Sequence, residues 1–133
     1  MTIIQNKIEI NKVVADVYTF LSDLNNHEQL MPENITNWSS TYDHASFTIK
    51  NMAKLSLKMT QRIENKELVC VPDGDTPFAL TLRWKVDQKE GSDSTIASFV
   101  IEAELNMMMK MMAAGPLQKL VDHQVNKLKD ILD

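Results

Sequence analysis

The sequence predicts an α+β fold of one domain, residues 1–133, with helices set against a single antiparallel sheet. Three observations carry this prediction. Most of the chain between Ile35 and Leu105 alternates apolar and polar side chains, the pattern of strands with one wet and one buried face. From Leu117 onward the apolar residues switch to helical spacing. Two short stretches of helical spacing separate the first alternating run from the rest.

Residues 2–10 read as a strand, with Ile4, Ile8 and Ile10 on one side and polar Asn6 among them. Asn11 is placed to cap a helix, because its short side chain can accept from free amides of a first turn. Val13, Val14, Val17, Phe20, Leu21 and Leu24 then form one apolar stripe. A second helical piece, "NNHEQL", ends before Pro32, which disfavours helical geometry at Met31. Ile35–Tyr42 is a strand with Trp38, Ser40 and Tyr42 on one side, and "HASFTIKNM" gathers Ala45, Phe47 and Ile49. "KLSLKMTQRIE" puts Leu55, Leu57, Met59, Gln61 and Ile63 inward against Lys54, Ser56, Lys58, Thr60 and Arg62 outward. After "ELVCV", the turn "PDGDTP" leads into "FALTLRWKVD", whose Phe78, Leu80, Leu82, Trp84 and Val86 point inward. "KEGSDS" is another turn, and "TIASFVIEAEL" sets Thr95, Ala97, Phe99, Ile101, Ala103 and Leu105 on one face. That makes about six or seven strands. In the tail, Leu117, Leu120, Val121, Val125, Leu128, Ile131 and Leu132 share one side of a long helix, and such a stripe needs a surface to cover it.

A chain of this length buries about two thirds of its unfolded surface, enough for a core without disulfides or metal. Fourteen basic against 18 acidic residues give a net charge of −4, with no basic footprint, so nucleic acid is not an expected partner. The single cysteine, Cys70, cannot form an internal disulfide and suits a reducing compartment. "MTIIQNKIEINKVV" lacks a basic region followed by an unbroken apolar stretch, so no signal peptide is expected. No apolar run approaches the roughly 18 to 20 residues that cross a bilayer. The expectation is a soluble cytoplasmic protein without stable membrane insertion. With 3 glycines and 4 prolines, little of the chain is linker.

The order of strand, two helical pieces, a run of strands and one long helix resembles the helix-grip fold of the START-like (SRPBCC) superfamily. Polyketide cyclases and birch-pollen-allergen-like proteins belong to it. The stretch "VVADVYTFLSDLNNHEQLMPENITNW" is similar to the helix–helix–strand opening of bacterial members, and "MMKMMAAGPLQKLVDHQVNKL" to their terminal helix. The resemblance covers nearly the whole chain. It implies a strongly curved sheet gripping the last helix, with a cavity between them for a lipid-like or aromatic ligand. The superfamily has no universal catalytic motif, so the resemblance gives no residue a catalytic role.

Five of the nine methionines fall within residues 107–112. Inward alternation continues through Leu105 to Met107. With Asn106 capping a helix, Met107 and Met109 lie at the edges of the inward stripe. There, flexible polarizable side chains fill an irregular core or line a pocket. Met108, Met111 and Met112 point away; an exposed apolar patch suggests a homodimer contact or a cavity mouth. Thioethers suit copper(I), but no cysteine or close histidine stands beside them, so no metal is expected. The single Lys110 gives the segment little attraction to a membrane surface. Gly115-Pro116 predicts either a kink or the end of one helix and the start of another.

Two glutamines occupy positions where the pattern wants apolar groups. Gln61 interrupts its inward row, and Gln124 falls within the stripe of Leu117, Val121 and Leu128. A buried amide without partners costs about 1 to 3 kcal/mol. A strand bulge, an end position or mutual pairing would account for them; so would a role as orienting polar groups in a greasy pocket. Trp84 is core or pocket wall. His27, His44 and His123 have no neighbouring nucleophile or acid that spacing can place beside them. Glu102 and Glu104 lie on an outward face, Asp73 and Asp75 in a turn, and Cys70 reads as a small buried hydrophobe. No Gly-rich phosphate loop appears, and no cofactor is expected.

The function these features predict is binding of a small hydrophobic molecule. Its cavity candidates are Phe47, Leu57, Met59, Gln61, Leu82, Trp84, Phe99, Met107, Leu120 and Gln124. Two rivals remain: a cyclase-type enzyme using the same cavity, and an interaction module working through the methionine patch. A titratable group buried in the pocket favours the enzyme; hydrocarbon and amides alone favour the carrier.

Overall fold

The computed structural model describes residues 1–76 and 78–133. The expected turn at residues 72–77 therefore ends on Pro77, outside the described residues. The strands are β1 (Thr2–Ile10), β2 (Ile35–Ser40), β3 (His44–Ile49), β4 (Ala53–Ile63), β5 (Glu67–Pro72), β6 (Leu80–Gln88) and β7 (Thr95–Ala103). Between β1 and β2 lie helix α1 (Val14–Ser22) and a 3-10 helix (Leu24–Leu30), and helix α2 (Met107–Leu132) follows β7. All pairings are antiparallel in the order β1-β7-β6-β5-β4-β3-β2, a curled half-barrel closed on its concave side by α2. The sequence-predicted α+β helix-grip architecture is present.

Alternation explains the strands. In β7 every second residue, Thr95 through Ala103, is buried. In β1, Ile4 and Ile10 are buried, while the Asn6 amide between them donates to Asp122 of α2 at 2.9 Å. Lys129 of α2 donates to the Glu9 carbonyl at 2.8 Å, so the edge strand and the last helix are tied along their length.

The pattern misleads in β4. Met59 pairs with Cys70 and Gln61 with Val69, which leaves Thr60 as one extra residue in the ladder. A bulge of this kind reverses which side chains face inward. Gln61 and Ile63 are consequently exposed, and Arg62 turns towards the protein instead. Its guanidinium donates to the Ser22 carbonyl at 2.8 Å, the Tyr42 carbonyl at 3.1 Å and the Asp43 carboxylate at 2.7 Å. Arg62 thereby fastens the end of α1 to the β2–β3 connection.

The helix ends also differ from expectation. Asn11 does not cap α1; its backbone N–H donates to Asp133 and its side chain accepts from Ser94. The cap position is Val13, and the Gln88 side chain accepts from the free Val14 amide at 3.0 Å. Asn106 does cap α2, accepting from the Met109 amide at 2.8 Å. Helix α2 continues through Pro116 rather than restarting. The carbonyl that loses its donor belongs to Met112, and both residues are exposed where solvent can satisfy it. Among the described residues no helix is long and apolar enough to cross a membrane.

The buried side chains form two clusters rather than one. The larger joins α1, α2 and the β1-β7-β6 half of the sheet through Phe99, Ile101, Val121 and Leu128. The smaller joins Leu24 to Ala45, Phe47, Ile49, Leu55, Leu57 and Cys70 on the β3-β4-β5 side. Half-buried Ile35, Met52, Met59 and Leu82 pack against both clusters, and a hollow lies where the two meet.

Candidate functional site

The floor of the hollow is built from neighbouring rows of the sheet. Leu68 pairs with Trp84, which pairs with Phe99; one row along, Met59 pairs with Cys70 and Cys70 with Leu82. Ala45 and Leu57, paired across β3 and β4, extend the floor beside Phe47. Pleating brings these residues to one face because each lies an even number of positions from the next inward residue of its strand. Trp84 and Phe99 stack with ring centroids 4.5 Å apart and planes within 3°, and Trp38 stacks on Phe47 at 5.4 Å and 13°. The roof is Leu120 and Gln124 of α2, with Leu24 and His27 of the 3-10 helix and Met31 just after it.

The free interior has a volume of about 40 Å³, and counted with its open mouth the hollow spans about 520 Å³. As it stands, the interior accepts about three water molecules. Met31 and Met59, both half-buried, are the flexible part of the wall.

Among the described residues the lining contains no aspartate, glutamate, lysine or arginine. Its polar groups are His27, Gln124, the Cys70 thiol and the indole N–H donors of Trp84 and Trp38, the last of which donates to the Ser40 hydroxyl at 2.9 Å. Nε2 of His27 lies 2.8 Å from the Leu21 carbonyl; a carbonyl only accepts, so Nε2 carries the proton. Burial holds the His27 pKa below its ordinary value, against the opposing pull of that hydrogen bond and of Asp23. The ring is therefore neutral, with a lone pair on Nδ1. Burial pushes the Cys70 thiol up to about 12, so at neutral pH it is not a thiolate nucleophile. Among the described residues no group of three or more His, Cys, Asp or Glu side chains could hold a metal ion.

Eight of the ten sequence-derived candidates meet around this one hollow: Phe47, Leu57, Met59, Leu82, Trp84, Phe99, Leu120 and Gln124. Gln61 does not, because the Thr60 bulge turns it to solvent. Met107 does not either: the strand ends at Ala103 and the helix resets the direction of its side chain, leaving it 82 % exposed. Met108, Met111 and Met112 are exposed as expected. Sequence reasoning missed His27, Leu24, Met31, Trp38, Ala45, Leu68 and Cys70 as lining. A signal existed for two of them: Leu24, His27 and Leu30 recur every third residue, the 3-10 period, which buries one edge of such a helix.

No protein-family model and no curated protein matches the chain. Solved structures do. A START superfamily protein from Mycobacterium smegmatis superposes with a TM-score of 0.69 at 14% identity, covering 97% of this chain and 98% of that one. The Aha1 dimer from Colwellia psychrerythraea gives 0.74 at 18% identity over 99% and 96%. The di-domain ARO/CYC protein BexL gives 0.73 at 9% identity, with 98% of this chain matching 46% of the longer one. At such identities the likeness is one of architecture alone, and it is consistent from end to end: this chain shares the helix-grip fold of these structures.

Proposed function

We propose that the protein binds a small hydrophobic molecule, without covalent chemistry, in the hollow between the sheet and α2. The observation that carries this is the hollow itself. Side chains of both apolar clusters, with Met59 and Leu82 packed against each, surround unfilled space lined by aromatic rings and free of formal charge. Unfilled apolar volume forfeits dispersion contacts and lowers stability, by about 24 cal/mol for each Å³. A fold that keeps such volume gains it back when a ligand fills it. Phe47, Leu57, Met59, Leu82, Trp84, Phe99, Leu120 and Gln124 supply the contact surface, together with Trp38 and His27.

Native mass spectrometry of freshly purified protein tests this, with a co-purifying small molecule as the expected result. Thorough extraction that releases nothing, from a protein whose stability no apolar compound raises, would overturn it.

One observation favours a second reading. His27 is a titratable group buried in the lining, as a cyclase-type enzyme would need for proton transfer. Turnover of a linear polyketone that disappears in His27→Phe, while binding persists, would establish that reading over the carrier. The exposed side chains of Met108, Met111 and Met112 further suggest a homodimer contact.

A further inference from the structure

Resting on that binding reading, we propose a narrower one. The hollow selects a single-ring aromatic that is uncharged and carries one hydroxyl or N–H, with Gln124 and His27 as its hydrogen-bonding partners.

The strongest evidence is Gln124. It is 3 % exposed, sits in the apolar stripe of α2 and lines the hollow. Its amide has no hydrogen-bond partner among the described residues, whereas buried Thr95 donates to the Lys12 carbonyl at 2.7 Å. Yet no side-chain nitrogen or oxygen is both sealed and unpaired among the described residues. The Gln124 amide therefore still touches open space, and the open space it borders is the hollow. A leucine there would complete the stripe; an amide facing an oily chamber is instead a donor and acceptor awaiting a partner.

His27 adds an acceptor. Its Nε2–H is committed to Leu21, so the free lone pair is on Nδ1. Both residues line the hollow, so a hydroxyl within it can donate to Nδ1 or to the Gln124 oxygen and can accept from the Gln124 N–H.

Charge is selected against. A carboxylate or ammonium would leave water without a counter-ion in the lining, which makes its transfer unfavourable. Arg62 is committed elsewhere, to Asp43 and the Ser22 and Tyr42 carbonyls. Shape and size complete the description. Two stacked aromatic pairs line the hollow. Its free interior of about 40 Å³ is smaller than the roughly 150 Å³ that holds a benzene ring, so a single ring is the upper limit and enters as the flexible Met31 and Met59 side chains move aside.

The probes are 4-methylphenol, toluene and 4-methylbenzoate at neutral pH. Both tryptophans of the chain, Trp38 and Trp84, line the hollow, so intrinsic fluorescence excited near the red edge reports occupancy directly. One satisfied hydrogen bond is worth about tenfold in affinity. Wild-type protein should bind 4-methylphenol about tenfold tighter than toluene and should not bind the benzoate. Gln124→Leu should remove the phenol's advantage while leaving toluene binding unchanged or tighter. Equal affinity for phenol and toluene in the wild type, or benzoate binding as tight as the phenol, would overturn this inference and leave hydrophobic binding standing. Failure of the phenol and toluene alike would also overturn this inference; the binding reading falls only if, in addition, nothing co-purifies and no apolar compound raises the protein's stability. The wild-type comparison needs no variant, so it holds even if Gln124→Leu misfolds.

Discussion

Leucines along α2 offer a direct measure of whether the hollow is real. Leu120 lines it, while Leu117 and Leu128 lie in the same stripe but outside it, at 2 % and 0 % exposure. Each is replaced by alanine. The helix-propensity change is the same at all three and cancels in the comparison. Removing three carbons costs about 2.4 kcal/mol in lost transfer free energy at each site. At a fully packed site the void adds a second cost. A space of about 60 Å³, two waters' worth of liquid, adds about 1.4 kcal/mol. Leu117→Ala and Leu128→Ala should therefore cost about 3.8 kcal/mol. Leu120 already borders open space on one side and has fewer contacts to forfeit. Its cavity cost should be half or less, giving about 2.4 to 3 kcal/mol. The gap of about 1 kcal/mol exceeds the error of urea titrations followed by tryptophan fluorescence at constant slope, and corresponds to about 4 °C in Tm. Leu120→Ala should also accept bulkier aromatics than the wild type. If Leu120→Ala costs as much as both controls, the roof is solidly packed and the hollow reasoning fails.

Acid should act through His27. Its folded pKa lies below the ordinary 6.5 because burial disfavours the imidazolium. The unfolded chain therefore binds the proton first. Stability is unaffected above about pH 6.5, then falls with a limiting slope of about 1.4 kcal/mol per pH unit until the folded ring itself protonates. His27→Gln, which can keep the bond to Leu21, should flatten this part of the wild-type profile; parallel profiles for the two proteins would refute the assignment. The bulge in β4 predicts an asymmetry between neighbours. Gln61→Ala should change stability by no more than about 0.5 kcal/mol, while Arg62→Ala, which strips donors from Ser22 and Tyr42, should cost about 1 to 3 kcal/mol. Equal effects in chemical unfolding would mean the phase does not reverse at Thr60. Finally, replacing Met108, Met111 and Met112 together by glutamine should leave the melting temperature within a few degrees and yield a monomer by light scattering if the patch joins two copies. An unchanged mass would remove it from any interface.

Much of the site was legible because it is written in period-two rows. Ala45 and Phe47, Leu57 and Met59, Leu82 and Trp84, and Phe99 fall on inward faces by alternation alone, and Leu120 with Gln124 by helical spacing. The failures have equally local causes. One extra residue in β4 is visible only when the partner strand is laid beside it, so Gln61 was assigned to the wrong face. Met107 was carried inward by extending an alternation past the point where strand geometry ends. Asn11 looked like a cap because capping is a short-range signal, but Asp133 and Ser94, distant in sequence, claimed it.

By itself, then, the sequence determined for most positions which residues share a face, where most elements lie and that the Gln124 amide would be left among hydrocarbons, though it placed Gln61 there too. Those properties follow from backbone periods of two and 3.6 and from side-chain chemistry, each readable within a few residues. Only the tertiary structure decided that the two inward faces stand far enough apart to leave space between them. It also placed His27 beside Gln124's chamber and Arg62 under the end of α1. Curvature of the sheet and the separation of its layers arise from pairings between residues far apart along the chain, and no local period records that distance.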